Sequence, residues 1–138
     1  MACSTCKVIG SVQAQDFTCV KGDDFYLPIQ LVDSVTGVPE DISDWTFFFE
    51  VYASWQQKND TDTNLISLSL GHGIEILDGL NGKLSIAITA EQTDGISIPD
   101  TTTYGNDVPQ TVCVYDFIAV DEDDLTRTTL RGNFTFTL

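Results

Sequence analysis

Apolar and polar side chains alternate along most of this chain with a period of two, and helical spacing is almost absent. Clusters of Gly, Asn, Asp and Pro break the alternation at short intervals, as turns do between strands. The pattern predicts strands over Asp16–Val20, Phe25–Asp33, Asp44–Trp55, Leu65–Leu70, Ile74–Leu77, Leu84–Thr89, Thr111–Val120 and Leu125–Leu138. About seven or eight short strands with no βαβ unit among them predict an all-β chain, an antiparallel β-sandwich.

The segment Asp44–Trp55, "DWTFFFEVYASW", is the most aromatic. Alternation puts Trp45, Phe47, Phe49 and Val51 on one face and Thr46, Phe48, Glu50 and Tyr52 on the other. The first row is read as core, with Trp45 as its anchor; in the second, Phe48 and Tyr52 mark a contact surface. Pro28 cannot donate to a ladder, so it restricts the neighbours of its strand. The turn "DGLNGK" before Leu84 is a hairpin signal. Thr89 and Gln92 have the spacing of a capping box and predict one short helical turn from Ala90. Gln56–Asn64 reads as a polar loop. Ser97–Gln110, with two prolines, reads as a long exposed loop of the kind that carries function.

The chain has 138 residues, one domain's worth. We divide it into an N-terminal arm, residues 1–15, and a sandwich domain, residues 16–138. With 42% apolar residues it folds rather than staying disordered. No apolar run approaches the roughly 20 residues that cross a bilayer, and the N-terminus lacks the apolar stretch of a secretory signal. Synthesis in a cytoplasm is expected. Twenty-one acidic against six basic residues give a net charge of −15. That charge repels phosphate backbones and anionic membranes, so neither nucleic acid nor membrane is expected as a partner.

Four cysteines stand at positions 3, 6, 19 and 113. Cys3 and Cys6 have the C-x2-C spacing of a metal site, but neither a second such pair nor a paired His completes it. Cys19 and Cys113 read as buried strand residues; a disulfide between them is discouraged by a reducing compartment. His72, the one histidine, has no nucleophile motif to partner it and reads as a solvated loop residue. Carboxylates are plentiful, but a hydrolytic pair needs a separation that sequence does not give. The acidic turn Asp121–Asp124 lacks the spacing of an EF-hand loop and reads as a solvated turn. Trp55, at a strand end beside polar residues, is the more exposed of the two tryptophans. No nucleotide-binding loop is present, and no metal or other cofactor is expected.

Five segments in this order, "KGDDFYLPIQLVD", "TGVPEDISDWTFFFEV", "IEILDGLNGKLSIAIT" with "AEQTDGI", and "YDFIAVDEDDLTRTTLRGNFTFTL", resemble the immunoglobulin-like domains of tailed-phage virion proteins, similar to the N-terminal domain of phage baseplate upper proteins. The resemblance spans residues 16–138. It rests on Gly22 and Asp23, on Gly37, Pro39, Asp41, Ile42, Ser43, Trp45 and Thr46, on Gly82 to Thr93, and on Tyr115 to Phe117. It implies an immunoglobulin-like sandwich and a non-enzymatic structural role in a bacteriophage virion, in the tail, baseplate or fibre-attachment region. The implied partners are other virion proteins and copies of itself. Partner-binding residues expected on this reading are Phe48, Tyr52, Trp55, Tyr104 and Val108, with the arm Met1–Ser11. A head-decoration protein, a carbohydrate-binding module that uses Trp55 and an acidic hydrolase are the alternatives, in that order.

Overall fold

The row that begins at Trp45 turns inward. Strand β5 (Thr46–Tyr52) buries Phe47, Phe49 and Val51 on one side, and Trp45 is buried just ahead of it. The structure is a computed structural model that describes residues 6–9, 13–33, 35–61, 63–98 and 109–138. Around β5 stand β3 (Phe17–Val20), β4 (Phe25–Val32), β6 (Ile66–Leu70), β7 (Gly73–Asp78), β8 (Lys83–Ile88), β9 (Gln110–Val120) and β10 (Thr126–Thr137). These are the strands that the alternation marks. Two more, β1 (Cys6–Ile9) and β2 (Gln13–Ala14), lie in the segment read as an arm and pair in parallel with β4 and β10. The β1 ladder starts at Ile29, one residue past Pro28, where the backbone N–H supply of β4 resumes.

The fold is all-β in plan, but its sheet does not divide into two separate layers. One ladder runs β1-β4-β8-β7-β6-β5-β9-β10-β2, with β3 also paired to β10. Strands β4, β8 and β7 form one wall; β6, β5, β9 and β10 form the other. The walls are joined because β6 and β7 pair directly, Ser69 with Gly73 and Leu70 with Ile74. Gly71 and Gly73, at φ +84° and +99°, make the bend that keeps the chain in the ladder as it crosses. At the other margin β1 approaches β10, so the sheet curls into a nearly closed, barrel-like shape.

Between the walls lies one aromatic and aliphatic core. Phe49 packs against Tyr115 at 5.1 Å between ring centres, Phe47 against Phe117 at 5.8 Å, and Phe25 against Phe134 at 5.0 Å. A register shift in β10 between Thr128 and Leu130 brings Leu130, Phe134 and Phe136 inward. The buried hydroxyl of Thr129, at the shift, donates to the Phe117 carbonyl at 3.1 Å, so the bulge leaves that oxygen satisfied.

Both helices are short. The turn expected at Ala90 is α2 (Ala90–Asp94), and its capping box is complete: Thr89 Oγ1 accepts from the Gln92 N–H at 3.1 Å, and Gln92 Oε1 accepts from the Thr89 N–H at 3.0 Å. The segment read as the polar loop Gln56–Asn64 is instead largely helical, α1 (Trp55–Thr61). Ser54 caps it, its Oγ accepting from the Gln57 N–H at 3.0 Å.

The segments that carry the family resemblance meet one another as turn-to-turn joints. Thr93 Oγ1 of α2 accepts from the Gly22 N–H at 3.0 Å and donates to the Asp23 carbonyl at 2.7 Å. At the far end of β4, Gly82 gives its carbonyl to the Leu31 N–H at 2.8 Å, and Ile42 N–H reaches the Gly79 carbonyl at 2.8 Å. Gly82 has φ +68°, and a Cβ there would stand 2.5 Å from the Leu31 oxygen and 2.9 Å from the Glu40 oxygen. A side chain at position 82 would wedge the two turns apart.

Candidate functional site

Three surfaces bear on function. The first is the outer face of β5, β9 and β10. Phe48 points outward, 40% exposed, opposite Ile118 on β9 and Ser69 on β6, as alternation predicts. Tyr52 shares that outward row but is only 2% exposed. Helix α1 folds back over it: Lys58 Nζ lies 5.6 Å from the ring centre, and the hydroxyl donates to Glu50 Oε1 at 3.3 Å. Tyr52 is thus covered by the chain itself and is not the exposed contact residue that alternation alone suggests. Trp55, half-buried at the start of α1, carries the Arg131 guanidinium 4.6 Å from its ring centre. With Arg131 and Gly132 it bounds an open hollow of 410 Å³. Tyr104 and Val108 lie outside the described residues, as does most of the loop that holds them and of the arm Met1–Ser11.

The second surface was not singled out from sequence. On the outer face of β4, β8 and β7 a groove of 450 Å³ crosses the sheet. Its walls are Tyr26, 48% exposed, and Leu70, 38% exposed. Its floor is made of small residues, Gly73, Ser85 and Ala87, and Glu75 stands at its rim. Leu77 lies exposed further along β7. Tyr26 was open to the same rule that marked Phe48, because it alternates with the inward Phe25 and Leu27. Its position across from Leu70 depends on the crossing from β6 to β7 and is not a local property.

At the third, beside Trp45, carboxylates are spent on local structure. Trp45 Nε1 donates to Glu122 Oε2, and the Arg127 guanidinium lies 5.1 Å over the indole. Arg127 also meets Asp121 at 3.0 Å and Glu40 at 3.5 Å. Asp121 Oδ1 accepts from the N–H groups of Asp123 and Leu125 at 2.9 and 3.1 Å, so the acidic turn is built around this side chain. Burial alone would raise the Asp121 carboxyl, but those donors and Arg127 outweigh it and hold it below the usual range. N–H groups of Thr36 and Val35 lower Asp33, and the Ser43 hydroxyl and N–H lower Asp41. Each of these folded-state values lies below the unfolded one. The stability they contribute is therefore present above about pH 4 and is lost as pH falls through the folded values. Thermal melts are expected to hold their midpoint from neutral pH to about 4.5 and to fall only below about 4. A midpoint that drops already near pH 6 would contradict this assignment.

His72 is exposed in the bend between β6 and β7. Cys19 and Cys113 are free thiols in the core, not a disulfide; burial raises both, Cys113 to about 11. Cys3 and the Cys6 side chain lie outside the described residues. Among the described residues no group of three or more His, Cys, Asp or Glu side chains is arranged to hold a metal ion. No described helix is long and apolar enough to cross a membrane.

No protein-family model matches the sequence, and no curated protein matches it either. Among solved structures the chain is similar to the N-terminal domain of phage TP901-1 ORF48. Identity is 11%, 97% of this chain and 98% of that chain are covered, and the TM-score is 0.45.

Proposed function

We propose that this chain is a non-enzymatic structural protein of a tailed bacteriophage virion, an immunoglobulin-like module of the tail, baseplate or fibre-attachment region that acts by docking on other virion proteins. The observation that carries the reading is the groove between Tyr26 and Leu70. It sets two exposed apolar walls on the sheet, over a floor of small residues, in a chain of net charge −15. Apolar anchors entering such a groove supply affinity, and charge selects the partner. A net charge of −15 favours a basic neighbour, keeps free subunits apart before assembly, and disfavours nucleic acid and anionic membrane. The segments that resemble those of virion domains support the same reading, because they form the turn-to-turn joints that fix the strands. In the virion, several copies would be arranged by a common neighbour.

The test is competition during assembly. A double variant, Tyr26→Ala with Leu70→Ala, removes exposed side chains and leaves the core untouched. It should lose about 2 kcal/mol of partner binding, roughly 30-fold in affinity. Co-expressed in equal amount with the unaltered chain, it should be strongly depleted from purified particles, as counted by mass spectrometry. Equal incorporation of the two chains would refute the docking role of this groove.

A further inference from the structure

Beneath α1, a row of three charged residues runs straight across the outer face of the sheet: Glu50, Asp116 and Arg131 are register partners on β5, β9 and β10. Asp116 is 1% exposed. A carboxylate so far from water needs both oxygens paired. Here only Oδ2 is paired, accepting from Lys58 Nζ; Oδ1 has no hydrogen-bond partner among the described residues. Glu50, beside it, is engaged with other groups. Its own oxygens take Asn64 Nδ2 at 3.0 Å, Ser67 Oγ at 3.4 Å and the Tyr52 hydroxyl. Arg131 lies against the Trp55 ring.

Lysine is an incomplete occupant of this site. Its ammonium is a point charge, whereas the planar fork of a guanidinium matches both oxygens of a carboxylate at once. The element that delivers Lys58 is also lightly held. Helix α1 has seven residues and buries none of them, and it is fastened through Lys58 on Asp116 and Trp55 on Arg131. Beside that fastening lies the open hollow bounded by Trp55, Arg131 and Gly132.

We propose that Lys58 is a placeholder and that the Asp116 carboxylate is the receptor for an arginine side chain of a partner protein, which displaces Lys58 and lifts α1. One ion pair is exchanged for a better-matched one, so the carboxylate stays neutralised throughout. The acidity of the chain favours a partner of this sign. The inference rests on the reading that the chain docks on other proteins and supplies that reading with a second anchor point.

The experiment uses the full chain and a short capped peptide of alternating glycine and arginine, with lysine and citrulline versions as controls. Binding is measured by calorimetry at physiological salt, where charges more than about 8 Å apart are largely screened. Hydrogen exchange of α1 and β9 amides is followed in parallel. The arginine peptide should bind, the lysine peptide more weakly, and the neutral citrulline peptide not at all; binding should speed exchange across α1. Asp116→Asn should weaken binding about tenfold or more, and Lys58→Met, which removes the competitor, should strengthen it about tenfold. Trp55→Ala keeps Lys58 and Asp116 but removes the ring that lies 5.8 Å from Lys58 Nζ and 4.6 Å from the Arg131 guanidinium; it loosens α1 and should also strengthen binding, which keeps the test decisive if Lys58→Met does not fold. Equal affinity across the unaltered chain, Asp116→Asn and Trp55→Ala, or binding with no change in α1 exchange, would overturn the proposal. That failure leaves the Tyr26–Leu70 groove untouched, just as normal incorporation of the groove variant leaves the peptide result standing.

Discussion

Phe49→Ala should cost about 3–5 kcal/mol of folding free energy, a large part of what a domain of this size has. Phe49 is fully buried and contacts three rings from the next two strands of its own wall: Tyr115 at 5.1 Å, Phe117 at 6.4 Å and Phe134 at 6.3 Å between centres. It therefore links β5 to both β9 and β10. Those neighbours belong to paired strands that cannot close in, so truncation leaves a cavity as well as losing the transfer term. Chemical denaturation should show the loss directly, and the thermal midpoint should fall by roughly 10–20 °C. A loss under about 1 kcal/mol would mean that the ring lies at a flexible margin and not at the centre of the packing.

Gly82→Ala should cost about 2–4 kcal/mol, a large loss for one methyl group. Two effects act there: the left-handed backbone at φ +68°, and the Leu31 and Glu40 carbonyl oxygens that a Cβ would meet. Asparagine tolerates the left-handed region better than alanine does, yet carries the same Cβ. If close approach of the two turns dominates, as the distances indicate, Gly82→Asn should be nearly as destabilising as Gly82→Ala. Near-native stability of the asparagine variant, measured by urea titration, would assign the cost to the dihedral alone.

Legibility followed the range of the interaction. Strands were readable because alternation of neighbours sorts Phe47, Phe49 and Val51 from Thr46, Phe48 and Glu50 with no knowledge of the rest of the chain. Helix α2 was readable because its cap is a local pair, Thr89 with Gln92. The same signal stands at Ser54 and Gln57 ahead of α1, but no apolar periodicity follows it, so the segment has the composition of a loop. Strand β2, two residues long, is too short to show a period, and β1 is defined by its parallel pairing with β4, a distant contact that local alternation does not encode. The joining of the walls at Ser69 and Gly73 depends on the path of the chain after a bend, which alternation does not encode.

The candidate site divides the same way. Phe48 was placed correctly on an outward face by alternation. Tyr52 obeys the same alternation yet is buried, because a helix that begins three residues later returns to cover it. The groove needs Tyr26 on β4 and Leu70 on β6, which face each other across β8 and β7 only in the curled sheet. The Asp116–Lys58 pair joins residues 58 positions apart, which only the fold brings together. The carboxylates that composition makes so conspicuous explain little of the surface, because Asp33, Asp41 and Asp121 are engaged in holding turns.

The claim that this chain is built into a virion is tested most directly by quantitative mass spectrometry of gradient-purified particles from the infected host. The account predicts that the chain co-sediments with intact particles, in fixed ratio to the tail proteins and resistant to a salt wash. Absence of the chain from those particles while it is abundant in the same lysate would contradict it.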